Sequence, residues 1–176
     1  MDWYDSVFEV IDMRSFSNLW YWIGLAVLWS SVSHWVLGVP HDLILRARRE
    51  KGGQAMEDLH DLTRVNVNRI LYISDVSGAW LLLLGSTVMT VLALTAFFYD
   101  VELSQAVFFL LFPLAILGLL SIRTARRIRN HGDREEALVR RLMRHRLATQ
   151  LIGFLSIFVT AMFGMDKNLY VGPFGF

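Results

Sequence analysis

The sequence contains no cysteine, and this absence excludes disulfide bonds, cysteine-ligated zinc and iron–sulfur clusters bound by the chain's own thiolates. Acidic residues, lysine and arginine are also missing from four long stretches, at residues 15–40, 76–99, 103–122 and 147–165. Each stretch is about as long as the roughly 20 residues that an α-helix needs to cross a bilayer. Apolar residues make up 55% of the 176 positions, above the share of about 45–50% that is usual in globular proteins. The sequence therefore predicts an all-α integral membrane protein with four transmembrane helices.

The residues that coupled transport and common enzyme mechanisms need are scarce in this chain. Only His34 is ionisable within an apolar stretch, and Pro113 alone interrupts the third one. Ion-coupled transporters need an ionisable group inside the membrane and often use broken helices in two matching halves. No phosphate-binding glycine loop, zinc-protease motif or Gly-x-Ser-x-Gly motif is present. These absences argue against a secondary transporter and against an enzyme.

The basic residues are concentrated in two of the connecting segments. Segments 41–75 and 123–146 hold 15 of the 17 lysines and arginines. The positive-inside rule places such segments in the cytoplasm. The N-terminus, the short 100–102 loop and the C-terminus are then expected on the opposite side. The chain is predicted to be a multi-pass protein with both termini outside.

The two basic segments also have helical patterns that continue the apolar stretches. Gly52-Gly53 and His131-Gly132 are the strongest helix breakers between them. We therefore expect one domain, residues 1–176, built as two long helical hairpins whose cytoplasmic ends project as an extended bundle. The hairpins pair residues 15–50 with 54–98 and residues 104–130 with 133–165, with spans at about 17–39, 76–98, 104–122 and 147–165.

Small and hydroxyl residues form a stripe along one face of the fourth span. The stripe consists of Thr149, Gly153, Ser156, Thr160 and Gly164, at helical spacing. The first span carries Ser30, Ser31 and His34, and His34 has Ser30 one turn away as a local partner. One interpretation is close helix packing, in which small residues let backbones approach and hydroxyls bond across the gap. The other is a pore, or a groove between protomers, lined by hydroxyls.

Two histidines could serve as axial ligands. His41 follows the first span and His145 precedes the fourth, at roughly the same predicted depth. A b-type haem needs histidines on facing helices, so this pair is a candidate for haem binding. The alternative is that both histidines contact headgroups or carboxylates at a basic interface, and Asp42 is adjacent to His41. We expect no cofactor, and we expect bound phospholipid.

The arginines nearest the membrane suggest contacts with anionic lipid. Arg123, Arg126, Arg127 and Arg144 crowd the predicted interface, where cationic side chains attract anionic headgroups. Topology determination alone would account for many of the arginines. Nucleic acid is not an expected partner, because acidic residues are interleaved in the first basic segment and no recognition motif is present.

Several short segments carry a family resemblance. They are MDWY at residues 1–4, IDMRSFSNLW at residues 11–20, SHWVLGVP at residues 33–40 and RHR at residues 144–146. The chain resembles a group of small four-span inner-membrane proteins of alphaproteobacteria. Some members carry a label that ties them to an iron–sulfur assembly complex, which this sequence does not support, since it has no cysteine ligand and no nucleotide loop. The resemblance implies a location in the bacterial inner membrane and no catalytic residue.

Three functions are consistent with the sequence. The first is a non-catalytic accessory, assembly or scaffold subunit that binds a larger membrane complex or further copies of itself through its charged cytoplasmic face. The second is a homo-oligomeric channel lined by span four or span one, because a single four-span chain has too little polar interior to conduct ions alone. The third is a small b-type haem protein.

Overall fold

A computed structural model of the chain describes residues 15–50, 53–133 and 135–170, with side chains up to Lys167. Within these residues the structure contains five α-helices, a 3-10 turn at Ser15–Ser17 and one small β-hairpin. The elements are α1 (Leu19–His34), β1 (Trp35–Val36), β2 (Val39–Pro40), α2 (His41–Arg49), α3 (Gln54–Phe97), α4 (Glu102–His131) and α5 (Glu135–Tyr170).

Three of the helices have the length and composition to cross a membrane, namely α3, α4 and α5. Their apolar parts correspond to the last three predicted spans, so the all-α class and three long apolar helices at these positions are confirmed. The helices also extend past the apolar parts into the basic segments, since α3 alone has 44 residues. Gly132, with a φ of 58°, ends α4 in the left-handed conformation that favours glycine. The three long apolar helices indicate a multi-pass membrane protein.

The first predicted helix, residues 15–50, is not continuous, and that prediction is wrong. α1 ends at His34, the chain reverses in the β1–β2 hairpin, and α2 begins at His41. Leu37 and Gly38 occupy the turn with φ of 53° and 77°. Pro40 disfavours helical conformation at the residue before it and has no N–H to continue the helix. With 16 residues, α1 is about 24 Å long and is not among the helices long enough to span.

The basic end of the molecule has its own packed core. We use this name for the part formed by the β-hairpin, α2, the first half of α3, the end of α4 and the start of α5. Its buried apolar residues include Val36, Leu37, Val39, Ile44, Leu59, Val67, Leu71, Ala125, Ile128, Leu138 and Leu142. Because these side chains come from every one of those segments, the helices are held together beyond their apolar parts.

The opposite end is closed by aromatic rings, and we call it the aromatic end. Phe16 is 1% exposed and its ring packs edge-on against those of Tyr21, Phe109 and Phe163. The backbone N–H of Phe16 donates to Oε1 of Glu102 at 2.8 Å. These contacts place the start of α1 beside the start of α4 and the end of α5.

Between the two ends, α1 lies against α4 and α5. Leu25 and Trp29 of α1 are buried with Leu117 of α4 in a smaller core cluster, and Ile152 of α5 packs against it. By contrast, almost the whole apolar part of α3 is exposed in a single copy of the chain. The membrane-facing half is therefore thinly packed, whereas the basic end is well packed.

Candidate functional site

The stripe of small residues on α5 is buried. All five members of the stripe have less than a tenth of their surface exposed. A Cβ atom at Gly153 would lie 2.7 Å from Cε3 of Trp29, and one at Gly164 would lie 3.2 Å from Phe16 and Trp22. At these two glycines, aromatic side chains of the 3-10 turn and α1 lie against the backbone of α5.

The hydroxyl groups of the stripe bond within α5. Thr149 donates to the carbonyl of His145 at 3.0 Å, and Thr160 donates to that of Ser156 at 2.7 Å. The Ser156 hydroxyl is buried without a hydrogen-bond partner among the described residues. In one copy of the chain, this face of α5 is therefore occupied by helix packing.

The polar residues of α1 lie on its other side. Ser30, Ser31 and His34 are exposed, whereas Leu25 and Trp29 face the bundle. The two predicted stripes consequently do not meet within one copy. The α5 stripe is buried, whereas the polar residues of α1 are accessible to a neighbouring copy of the chain.

His145 lies at the interface of α5 with α4. It is 5% exposed, with Nδ1 3.2 Å from the Thr124 hydroxyl and Nε2 3.4 Å from that of Ser121. Both ring nitrogens are thus directed at hydroxyl groups of α4. An axial bond to a haem iron through either nitrogen would have to replace one of these contacts.

His41 begins α2 and is half-buried. Its Nδ1 is buried without a hydrogen-bond partner among the described residues. Desolvation lowers the pKa of His41, and the charges of Arg146 and His34 lower it further, while Asp42 opposes them. The neutral imidazole is therefore favoured at this position. Haem ligation by His41 and His145 stays a prediction.

The four arginines predicted to contact lipid are all exposed. Arg126 also connects two helices, because its Nη2 lies 3.3 Å from the Ser74 hydroxyl and 3.9 Å from an Asp75 oxygen on α3. Arg123, Arg127 and Arg144 form no salt bridge within the described part of the chain. Contact with anionic lipid stays a prediction for these residues.

The basic end contains a groove that the sequence did not predict. It has a volume of about 850 Å³ and runs between α2, the start of α3 and the start of α5. Its apolar residues are Ala47, Met56, Val139 and Met143, and its exposed charged residues are Arg48, Glu135, Glu136, Arg140 and Arg144. We call this feature the basic-end groove.

The charged side chains of the groove are not neutralised by one another. None of its five charged residues forms a salt bridge within residues 15–50, 53–133 and 135–167. On α5, Arg140 and Arg144 lie toward the apolar part of the helix, and the two glutamates lie at its far end. The only feature of the sequence that points to the groove is the spacing of Val139 and Met143, which places two of its apolar residues one helical turn apart on α5. The part supplied by α2 depends on the hairpin turn, which the sequence reading missed.

Among the described residues there is no cluster of three or more histidine, aspartate or glutamate side chains that could hold a metal ion. Comparison with known proteins gave no match to a family model, a curated protein or a solved structure.

Proposed function

We propose that this chain is a four-span bacterial inner-membrane protein that acts as a non-catalytic accessory, assembly or scaffold subunit, with the basic-end groove as its binding surface. The observation that carries the proposal is the groove itself, which combines an apolar floor with charged side chains that have no ionic partner among the residues that the structure describes. Apolar floors with complementary charges at the edge are typical of surfaces that select a protein partner.

The path of α1 supports a fourth crossing. Phe16, just before α1, contacts Glu102 at the aromatic end, and Val36, just after it, lies in the core of the basic end. The chain thus passes from one end of the bundle to the other beside the apolar parts of α4 and α5. The 3-10 turn and the β-hairpin add length to a helix of about 24 Å, which brings it close to the roughly 30 Å of a hydrocarbon core.

The absence of cysteine makes this topology straightforward to test. Single cysteines at Ser15, which is half-buried and precedes the predicted span, and at the exposed Arg49 would lie on opposite sides of the membrane if α1 crosses it. With the basic end in the cytoplasm, a membrane-impermeant maleimide should label S15C in intact spheroplasts and R49C only after lysis. Labelling of both residues from one side would contradict the four-span arrangement.

The part of the chain that the structure describes begins and ends at the aromatic end. The backbone N–H of Phe16 donates to Glu102, and Lys167 pairs with Asp100. Both contacts lie across the apolar part of the bundle from the groove. We therefore assign the groove an occupant from another molecule.

Lipid headgroups reach only one end of the groove. The apolar part of α5 begins at Leu147, so Arg144 lies about 5 Å and Glu135 about 18 Å beyond it at 1.5 Å per residue. The headgroup layer extends only about 5–8 Å beyond the hydrocarbon core. A phospholipid can contact Arg144, but most of the groove is accessible only to a cytoplasmic molecule.

A second copy in the same membrane is also a poor match. When the grooves of two copies with the same orientation face each other, the same residues lie at the same depth, so Arg140 would meet arginine and Glu136 would meet glutamate. Like charges placed opposite each other at an interface are unfavourable. The charges instead suit an amphipathic helix of a partner protein with acidic residues toward the membrane. A helix lies in an apolar groove through residues spaced three and four apart.

The experiment is to extract the protein gently from its own membrane and measure the mass and composition of the complex. We expect a partner in fixed ratio, and we expect Arg140→Glu combined with Arg144→Glu to release it. Arg123→Glu combined with Arg127→Glu is the matched control, because it makes the same charge change at exposed residues outside the groove. A wild-type complex that contains no other protein would contradict the accessory role, and equal effects of the two double variants would contradict the groove as its surface.

The alternative function is a homo-oligomeric pore, and exposure of the α1 residues favours its span-one version. Ser30, Ser31 and His34 could line a ring of copies, whereas the α5 stripe lies under aromatic side chains. In such a ring, Ser31→Arg should abolish conductance in planar bilayers while the oligomer persists. Unchanged ion flux would contradict the pore.

A further inference from the structure

A second cavity lies at the basic end, between α3 and the turn that connects α4 to α5. Its volume is about 230 Å³. Its polar lining residues are His60, Thr63, Arg64, Asn68, Arg129 and Asp133. The basic-end groove shares none of these residues, so the two features can be tested separately.

Thr63, which lines this cavity, has a hydroxyl group that forms no hydrogen bond with any described residue. Its side chain is 1% exposed. The other six threonines each donate to the carbonyl four residues earlier in their own helix. A buried hydroxyl without a partner is costly. Thr63 thus has an unused hydrogen bond directly beneath the cavity wall, and a rotation about χ1 would turn the hydroxyl toward a ligand.

The charges around Thr63 select the chemistry of the ligand. Arg129 lines the cavity and forms no salt bridge within the described residues, and Arg64 pairs only with the exposed Asp61. The single carboxylate on the wall, Asp133, is 8% exposed and is held by Arg141 from outside the cavity. The side chains left free are thus cationic or neutral donors, which is the donor set of an oxyanion site.

We propose that this cavity binds a small oxyanion, namely phosphate or the phosphoryl group of a phosphate monoester. Thr63 and Asn68 supply neutral hydrogen bonds, and Arg129, with Arg64, supplies the positive charge. The volume is below the roughly 300–1,000 Å³ of pockets that enclose drug-sized ligands. It suits a phosphoryl group with some water, because one water occupies about 30 Å³.

The depth of the cavity distinguishes a soluble phosphate from a lipid headgroup. The apolar part of α4 ends at Ile122, and the lining residues Ile128 and Arg129 lie about 9 and 10 Å beyond it. The headgroup layer extends only about 5–8 Å past the hydrocarbon. Thr63 and Asn68 lie about 20 and 12 Å before Val76, where the apolar part of α3 begins. The site therefore faces the aqueous phase and takes a water-soluble ligand.

The test uses the purified full-length chain in detergent, with inorganic phosphate as the probe. Thermal unfolding is followed over a phosphate titration at constant ionic strength, with chloride as the balancing anion. We expect phosphate to raise the midpoint of wild-type unfolding, because a ligand that binds only the folded state stabilises it. Thr63→Val and Arg129→Gln should each weaken binding about tenfold.

Two further variants guard against trivial explanations. Thr63→Ser keeps the hydroxyl and should keep binding, which separates the hydrogen bond from the packing at this position. Arg127→Gln removes one positive charge from an exposed residue outside the cavity and should leave binding unchanged. Without phosphate, Thr63→Val should unfold at a higher temperature than wild type, since it removes a buried unpartnered hydroxyl.

Either of two results would overturn the site. One is no phosphate stabilisation of the wild type, and the other is equal stabilisation of wild type, Thr63→Val and Arg129→Gln, which marks a general salt effect. A parallel experiment measures binding of the wild type and of Thr63→Val to vesicles of phosphatidylglycerol. Vesicle binding that is lost in Thr63→Val would show that the site takes a lipid headgroup, which would contradict a soluble ligand. None of these measurements requires the partner of the basic-end groove, so the outcome is independent of the accessory role.

Discussion

Gly153 of α5 and Trp29 of α1 approach so closely that a Cβ atom at Gly153 would lie 2.7 Å from Cε3 of the indole. Real Cβ atoms do not tolerate that distance, and the atoms involved belong to a rigid ring. Trp29 is buried beside Leu25 and Leu117, so it has little room to move. The contact fixes α1 against α5 at the middle of the apolar region.

We therefore expect Gly153→Ala to destabilise the protein by about 1–3 kcal/mol, the usual cost of overpacking. The measurement is the thermal unfolding midpoint in detergent, followed by tryptophan fluorescence. Gly118→Ala is the matched control, because nothing lies within 4 Å of a Cβ atom at this helical position, and alanine favours helix by about 1 kcal/mol over glycine. Equal stability of the two variants would contradict the packing of α1 on this stripe.

The β-hairpin between α1 and α2 depends on Gly38. Its φ is 77°, and a Cβ atom there would lie 3.0 Å from Cγ of Asn66, whose amide donates to the Gly38 carbonyl at 3.2 Å. Gly38→Ala should cost about 1–2 kcal/mol from left-handed strain alone. The free energy of unfolding by denaturant tests this, with Gly78→Ala as the control because its Cβ would meet only Ser74 Oγ at 3.8 Å. A Gly38→Ala variant as stable as Gly78→Ala would contradict the turn.

The same hairpin separates what the sequence could predict from what it could not. Charge-free runs long enough to span a membrane identified α3, α4 and α5, because composition alone decides which segments suit a bilayer. The break after His34 was missed because apolar composition continues through Val36 and Val39, while the local signal lay in Gly38 and Pro40. A run of apolar residues shows that a segment avoids water, but it does not show whether the helix continues. The turn is determined by the backbone conformations that individual residues such as Gly38 and Pro40 favour.

The candidate sites follow the same division. The small-residue stripe was visible because its members repeat with the period of one helix. The basic-end groove and the Thr63 cavity were not, because each is assembled from three or more chain segments whose pairing depends on the fold. Even the unusual state of the Thr63 hydroxyl has no sequence signal, since six other threonines have the ordinary bond to their own helix.

Arg141 and Asp133 provide a test of the packing at the turn between α4 and α5. Their side chains form a salt bridge in which Asp133 is 8% and Arg141 is 27% exposed. Arg141→Gln should cost on the order of 1–3 kcal/mol, because it leaves a nearly buried carboxylate without its charged partner. Arg64→Gln removes the partner of Asp61 from a pair whose side chains are 64% and 69% exposed, and should change stability by less than about 0.5 kcal/mol. Similar losses in denaturant unfolding would contradict burial of the Asp133 carboxylate.

The environment of His41 predicts a dependence of stability on pH. Desolvation and the nearby charges of Arg146 and His34 lower its pKa in the folded state, against the weaker opposing effect of Asp42. Between the folded and unfolded pKa values, the unfolded chain binds more protons, so the free energy of unfolding rises with pH. The contribution of His41 to the free energy of unfolding is complete above about pH 6.5, the ordinary histidine pKa. It is lost as the pH falls through the lower pKa that His41 has in the folded state. His41→Gln cannot titrate and should therefore lose less stability than wild type on acidification over that window. Parallel unfolding midpoints of wild type and His41→Gln across the same pH range would show that His41 is solvated like an ordinary surface histidine.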